Sequence, residues 1–498
     1  MTFNSIPFVL FFLSVVFLYY IFPSKLKNFC LLIASYYFYM VWNPSYVLLL
    51  MGITLITYAG GLLLDKIHTR VSDEKQQIVR QQLCIFICAL AVFGILFYFK
   101  YINFFYSSLG FVMLKLGIPI PPKTFDIVMP VGISFICFQT FGYVVDVSRR
   151  KTSAEKNIIH YALFSSFFPL VLSGPIERST NLLRQIRTPN PKINYDRFTN
   201  GLILMLYGFF MKMVISDKLA IFANTVFSNA AQYSSFVLIL GAAAFSFQIY
   251  CDFCGYSNIA IGAAQVLNFD VIENFNTPYF SRSVREFWRR WHISLSTWFR
   301  DYLYIPLGGN RCGKIRKYFN LLVTFLASGL WHGAHGHFIV WGGINWLYQV
   351  IESEAEAWFR KHPLPINTSA FSFRFLQVLT TWCLTTIAWI FFKASSVGAA
   401  LRYIKGLFID LSLHPLFDGT LFNLGLSRQD LGIVVIALCI VLLVDVIRYK
   451  WKQRIDQFLC TQNLWFKWAV LLILIAFVVV FGEYGTQYSS SDFIYLQF

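Results

Sequence analysis

Ile6-Pro-Phe-Val-Leu-Phe-Phe-Leu-Ser-Val-Val-Phe-Leu-Tyr-Tyr-Ile-Phe22 runs for 17 residues without a charge. A helix that crosses a bilayer needs roughly 20 mostly apolar residues. No basic stretch precedes this run and no small-residue cleavage site follows it, so it reads as a retained first span rather than a leader. Comparable runs lie near 28–42, 45–64, 83–106, 125–147, 158–176, 198–224, 233–251, 319–332, 337–351, 371–392, 431–447 and 466–482. Of 498 residues, 57% are hydrophobic, 19% aromatic and 13% charged, whereas soluble domains carry about 25% charged residues. That excludes a soluble enzyme, a disordered chain and a disulfide scaffold. The expectation is an all-α polytopic membrane protein with about 11 transmembrane helices.

Not every run is a plain span. The stretch 158–176 closes on Leu172-Ser-Gly-Pro175, and proline interrupts a helix. Such a segment suits a re-entrant element whose freed backbone is covered by protein. Lys and Arg mark cytoplasmic loops. Lys25, Lys27, the loop 65–82, Arg149 to Lys151, and the group from Arg178 to Arg197 therefore place the N-terminus outside. Arg448, Lys450, Lys452 and Arg454 precede the last span, which puts the segment after it outside too. These loops account for the net charge of +17 without nucleic-acid binding. Cys30, Cys84, Cys88, Cys137, Cys383 and Cys439 sit in apolar runs as small hydrophobes. No period of 20–50 residues repeats, which gives no support to an inverted-repeat transporter. The loop 353–370 is too short for a soluble domain. We therefore expect one integral-membrane domain over 1–498, with a catalytic core in 245–345 and C-terminal spans in 371–498.

The chemistry concentrates in 245–342. Phe287-Trp-Arg-Arg-Trp-His-Ile-Ser-Leu-Ser296 and Phe299-Arg-Asp-Tyr302 form one pattern. Wound as a single helix at 100° per residue, Trp298, Trp291, Tyr302, Leu295, Trp288, Phe299 and His292 share about 120° of arc. Arg289, Arg300, Thr297, Arg290 and Asp301 take the opposite side, giving an amphipathic helix for the cytoplasmic leaflet. His292 lies at the edge of the aromatic face, where a polar group needs a hydrogen-bonding partner or a ligand.

His332 closes the apolar run Phe319–Trp331, beside Trp331 and Gly333. Ionisable residues in spans are functional candidates, and histidine suits general acid–base work near neutrality. Gly308-Gly309-Asn310-Arg311 is a turn rather than a P-loop, since the Lys-Ser/Thr is missing. With Lys314, Arg316 and Lys317 it makes a basic patch suited to an anionic donor. His335 and His337 follow His332, but metal ligation there would need an accident of loop shape. Cys251-x-x-Cys254 reads as core packing, because no second pair exists. No G-x-S-x-G elbow supplies an acyl-accepting serine.

Phe287 to Ser296, Arg300-Asp-Tyr-Leu-Tyr-Ile-Pro-Leu-Gly-Gly-Asn-Arg311 and Leu330-Trp-His-Gly333 resemble the membrane-bound O-acyltransferase superfamily. The likeness is to its bacterial alginate O-acetyltransferase branch, which includes peptidoglycan acetylases. Tyr250-x-Asp-Phe-x-Gly-Tyr-Ser257, Phe99-Lys-Tyr-x-Asn-Phe104, Ser173-Gly-Pro-Ile176 and Asp492-Phe-Ile-Tyr-Leu-Gln-Phe498 extend it along the chain. The resemblance implies a ring of spans around a through-tunnel, with His332 as catalytic base and His292 in the same tunnel. It offers Trp331, Trp288, Trp291, Tyr302, Asp301, Arg300, Asn310 and Arg311 as substrate-binding candidates.

No tightly bound cofactor or metal is implied. The donor would be acetyl-CoA or another acyl thioester. The partners would be an extracytoplasmic SGNH-type esterase/transferase and a polysaccharide or peptidoglycan acceptor, at a bacterial cytoplasmic membrane. D-alanyl transfer to teichoic acid competes within the enzyme class. A transporter, with Asp217, Asp252 and Asp445 as its few acids near spans, and a secretion scaffold compete from outside it.

Overall fold

The structure, a computed structural model, describes residues 1–118, 121, 124–188, 192–363, 365 and 367–484. The motif Asp492–Phe498 lies outside the described residues. Every regular element among those described is helical. The chain divides into two compact units, one of Met1–Thr199 with Ala263–Ile272, the other of Asn200–Gly262 with Glu273–Phe498.

The first unit contains α1 (Ile6–Ile21), α2 (Ser24–Met40), α3 (Ser45–Arg70), α4 (Glu74–Leu96), α5 (Ile102–Lys115), α6 (Ile133–Ser148), α7 (Ile158–Ser166) and α8 (Arg184–Arg187). Local chemistry sets the helix starts. The Ser5 hydroxyl accepts from the Phe8 amide before α1, and Asp73 accepts from Lys75 and Gln76 before α4, satisfying otherwise orphaned donors. A π-helical stretch, Phe97–Tyr101, links α4 to α5 at the Phe-Lys-Tyr motif.

The helix of the Pro175 segment stops well before the proline, at Ser166. At nine residues α7 is too short to cross a bilayer, and turns follow it to Ser173. Side chains cover the released backbone. Gln139 Nε2 donates to Phe164 O at 2.5 Å and Ser35 Oγ accepts from Phe168 N at 3.1 Å. Such cover is the condition for irregular backbone at membrane depth.

The remaining helices are α9 (Tyr195–Phe209), α10 (Asp217–Ser228), α11 (Ser235–Val266), α12 (Val284–Arg290), α13 (Ile293–Phe299), α14 (Lys314–His332), α15 (Gly336–Lys361), α16 (Phe371–Lys393), α17 (Val397–Gly406), α18 (Arg428–Trp451), α19 (Ile455–Cys460) and α20 (Leu464–Phe481). Phe210–Ser216 is π-helical and joins α9 to α10. Lys212 on it reaches Asp217 at 2.7 Å and Asp252 of α11 at 2.6 Å, all buried. Tyr250 donates to Asp445 of α18 at 2.9 Å. The acids that a proton-coupled transporter would use are therefore engaged by Lys212 and Tyr250 within the second unit.

Among the described residues, seven helical stretches are long and apolar enough to cross a membrane: Ser45–Arg70, Glu74–Lys115, Tyr195–Ser228, Ser235–Val266, Phe371–Lys393, Arg428–Trp451 and Leu464–Phe481. The apolar α1 and α6 have 16 residues each. The 19-residue α14 and 26-residue α15 have the length but interleave polar residues with apolar ones. The protein is a multi-pass, all-α membrane protein.

Candidate active site

His332 is the last residue of α14, and its placement follows from how closely α14 and α15 pack. A Cβ at Gly329 would stand 2.3 Å from Phe338 O, and one at Gly342 would stand 2.4 Å from Phe325 O. Only glycine permits that approach, and small residues of this kind let membrane helices meet at their backbones. The hairpin then turns through Gly333 to His335. His332 is 3% exposed. Its ring meets Trp331, Trp341 and Phe392 edge-on, with centroids at 4.9, 5.1 and 5.2 Å.

His292 is placed by a different device, and here the single-helix reading of 287–302 needs correction. α12 ends at Arg290 and α13 begins at Ile293. His292 between them has φ 44° and ψ 53°, the left-handed region that side chains other than glycine seldom adopt. The strap Glu273–Thr277 holds the break open. Asn274 O accepts from Ile293 N at 3.0 Å. Asn274 Oδ1 accepts from the Ser294 hydroxyl at 2.6 Å, and its Nδ2 donates to Ser257 of α11 at 3.1 Å. Asn276 N donates to Arg290 O at 3.0 Å. These bonds replace those that a continuous helix would have made, offsetting a strain of about 1–3 kcal/mol.

His292 is 1% exposed. Its ring stands edge-on to Phe253 at 4.5 Å and 5.9 Å from Trp331. Burial pushes its pKa well below the ordinary histidine value, because a low-dielectric site disfavours the charged ring. Trp331 thus contacts both imidazoles.

The other expected residues divide into two groups. Trp291 is buried against Phe275, Phe287 and Trp389, at 5.0, 5.3 and 5.0 Å. Trp288 packs on Trp341 at 5.6 Å and donates to Asn345 Oδ1 at 3.2 Å. These tryptophans form the wall behind the histidines. Arg300, Asn310 and Arg311 are exposed, and Asp301 and Tyr302 are half-buried. Arg300 pairs with Asp301 at 2.8 Å, and Tyr302 packs on Trp298 at 5.1 Å. The structure sets this second group on a surface rim, whereas the histidine rings are enclosed.

Cys251 and Cys254 are buried in α11. His335 is exposed, while His337 Nδ1 lies 3.0 Å from Phe391 O. No set of three or more His, Cys, Asp or Glu side chains suited to a metal occurs among the described residues. Sequence reasoning missed Trp341, Trp389 and Phe392, which no motif distinguished from ordinary core, and gave Phe253 no role although it lies in the quoted Tyr250–Ser257 motif. It also gave Asn274 no role.

Two buried imidazoles thus contact one indole, Trp331, within an aromatic surround. Residues 31–397 match the sequence model of MBOAT, the membrane-bound O-acyltransferase family. The chain belongs to the membrane-bound O-acyltransferase family. The match spans both histidines and the aromatic wall from Phe253 to Phe392. The chain is 38% identical to the probable alginate O-acetylase of Pseudomonas syringae pv. tomato, over 82% of this chain and 75% of that one. It is 35% identical to the probable alginate O-acetylase of Pseudomonas putida over the full length of both. It is 30% identical to the peptidoglycan O-acetyltransferase of Helicobacter pylori, over 100% of this chain and 97% of that one. As a membrane-bound O-acyltransferase, the protein is an enzyme of O-acyl transfer.

Proposed function

We propose that the protein moves an acetyl group from a cytoplasmic thioester, such as acetyl-CoA, to a hydroxyl outside the membrane. The acceptor is a glycan hydroxyl or the serine of an extracytoplasmic SGNH-type partner. His332 serves as the base. The observation that supports this reading is the contact of two buried imidazoles with Trp331. An imidazole nitrogen of His332 takes the acceptor proton as the oxygen attacks the thioester carbonyl. It returns that proton to the departing thiolate. His292, held neutral by burial, has a ring N–H to offer the developing oxyanion, and a donor in a dry site acts strongly there. The names of the relatives favour a cell-envelope or secreted polymer as acceptor.

Topology supports transfer across the membrane. Basic loops favour an extracytoplasmic N-terminus and, with Arg311, Lys314, Arg316 and Lys317 at the start of α14, an extracytoplasmic His332 end, in a cytoplasmic membrane. Ester-linked acyl groups on envelope and secreted glycans test the reading, compared among wild type, a deletion strain and His332→Ala. The variant protein is first confirmed in the membrane at normal level. Esters vanish in both mutants if His332 is the base, and the released acid separates acetyl from D-alanyl transfer. Esters that persist in His332→Ala but not in the deletion make the protein a conduit or scaffold instead.

A further inference from the structure

Apart from the histidine pocket, a cleft of about 930 Å³ opens between the α10–α11 turn and α17, within the range of small-ligand pockets. Ser235, at the start of α11, stitches its two sides together. The Ser235 amide donates to Asp410 O at 2.7 Å, and its hydroxyl donates to Gly406 O at 2.8 Å and accepts from Asp410 N at 3.1 Å. The Tyr403 hydroxyl adds a bond to Leu238 O at 2.7 Å. Both walls are therefore fixed in advance, which spares a ligand the cost of ordering them.

Lys393, Arg402 and Lys405 line the cleft, with Asp410 the one acid in the lining. Lys393 donates to Asn224 Oδ1 at 2.6 Å and stands 5.3 Å over the Phe245 ring, both uncharged partners. Arg402 and Lys405 are exposed, and neither enters an ion pair among the described residues. Asp410 Oδ1 accepts from Ser412 N at 3.1 Å. Three cations are thus set against one carboxylate, and a concave positive surface of this kind draws an anion.

The surroundings of the cleft say which kind, because they fix its depth. Both α16 and α18 are long and apolar enough to cross a membrane, and Lys393 is the last residue of α16. Beyond α17, Phe408, Ile409 and Leu411 are 75%, 69% and 73% exposed, yet residues 410–413 lie outside any helix. Their open backbone cannot enter the hydrocarbon core, whereas side chains so apolar and so bare seek it. Both demands are met where headgroups meet acyl chains. On α17 itself Leu401 and Lys405 share the outward face one turn apart, while Ala400 and Tyr403 are buried. Apolar and cationic side chains on one exposed face suit a helix lying at a membrane surface. Arg360 and Lys361 before α16, with Arg448, Lys450, Lys452 and Arg454 at the end of α18, favour cytoplasmic positions for those ends. The cleft then meets the opposite leaflet.

We propose that this cleft binds the headgroup of one anionic phospholipid, its phosphate on Arg402, Lys405 and Lys393 and an acyl chain along Ile409. The bound lipid pins α17 and the segment after it to the leaflet. This goes beyond acyl transfer and does not depend on it. The full chain, purified in a neutral detergent, is titrated with phosphatidylglycerol or with phosphatidylcholine of identical acyl chains, and bound lipids are counted by native mass spectrometry. One phosphatidylglycerol binds about tenfold more tightly than phosphatidylcholine. Arg402→Ala with Lys405→Ala weakens it by about tenfold, on the scale of two cations at a lipid surface. Arg402→Lys with Lys405→Arg retains it, which separates lost charge from lost fold.

Lys450→Ala with Lys452→Ala removes as much exposed charge from the other end of α18 and leaves this binding unchanged. Glycerophosphoglycerol, the same headgroup without acyl chains, binds far more weakly than the lipid. Equal affinity for the two phospholipids overturns the proposal. So does equal weakening by the two double alanine variants. A soluble headgroup that binds as tightly as the lipid overturns it too, and makes the cleft a site for free anions.

Discussion

The two histidines occupy one aromatic pocket but are held there by opposite means. His332 rides on a 19-residue helix locked to its neighbour by backbone contact at Gly329 and Gly342. His292 sits in a gap between two seven-residue helices, held by side-chain and backbone hydrogen bonds from Asn274. The first arrangement fails by steric wedging and the second by loss of a single amide. Position by packing tolerates polar change and resists volume. Position by hydrogen bonding does the reverse.

The sharpest way to break the contrast is Gly329→Leu. Its Cβ would meet Phe338 O at 2.3 Å, so α14 and α15 must separate and His332 must move. We expect a loss of about 3 kcal/mol or more, at the upper end for overpacking, together with loss of acyl transfer. Gly342→Leu should behave alike. Gly343→Ala is the control, since nothing stands within 4 Å of a Cβ there, and its unfolding temperature should match wild type. Equal damage from Gly342→Leu and Gly343→Ala would refute the packing account.

Asn274→Ala probes the other anchor and should do less to stability and more to chemistry. It deletes the acceptor for Ser294 and the donor to Ser257, both buried, at a cost of about 1–3 kcal/mol. Freed of the clamp, His292 drifts, and a displacement near 1 Å can cost up to about a hundredfold in rate. The turnover number should fall with little change in donor KM. Asn274→Asp keeps the accepting oxygen and should recover part of the rate. A parallel fall in both constants, or no rescue by Asp, would show that Asn274 merely supports the fold.

The same contrast explains what was legible in the sequence. Spans were readable because hydropathy is a local property, and His332 because an ionisable residue closing an apolar run is conspicuous. The break at His292 was not. Residues 287–302 keep helical periodicity and contain neither Gly nor Pro. What interrupts them is Asn274, which is 18 positions before His292 and beyond any window of helical pattern. The aromatic wall was hidden for a related reason. Trp341, Trp389 and Phe392 look like core in a chain with 54 Phe and 13 Trp, and only tertiary packing brings them to His332. Seven stretches rather than about 11 read as plain spans, because α1 and α6 stop at 16 residues each and because α14 and α15, the helices that build the site, dilute their hydropathy with polar residues.

The smallest expected effect concerns protonation of the histidine in the gap. Burial holds the folded-state pKa of His292 well below the ordinary value of 6.5. Above pH 6.5 the ring is neutral in both folded and unfolded chains, and stability is unaffected. Below it the unfolded chain takes up a proton that the folded one resists, so stability falls as pH falls. The slope approaches about 1.4 kcal/mol per pH unit for this one group. His292→Asn removes the titration while keeping a residue that accepts left-handed backbone. The drop in unfolding temperature between pH 8 and pH 5.5 should therefore be smaller in His292→Asn than in wild type. Because all other titrating groups are shared, the difference between the two proteins isolates this ring. Identical drops would mean that His292 is solvated in the working protein, and the gap between α12 and α13 would then be open to water rather than sealed by Phe253 and Trp331.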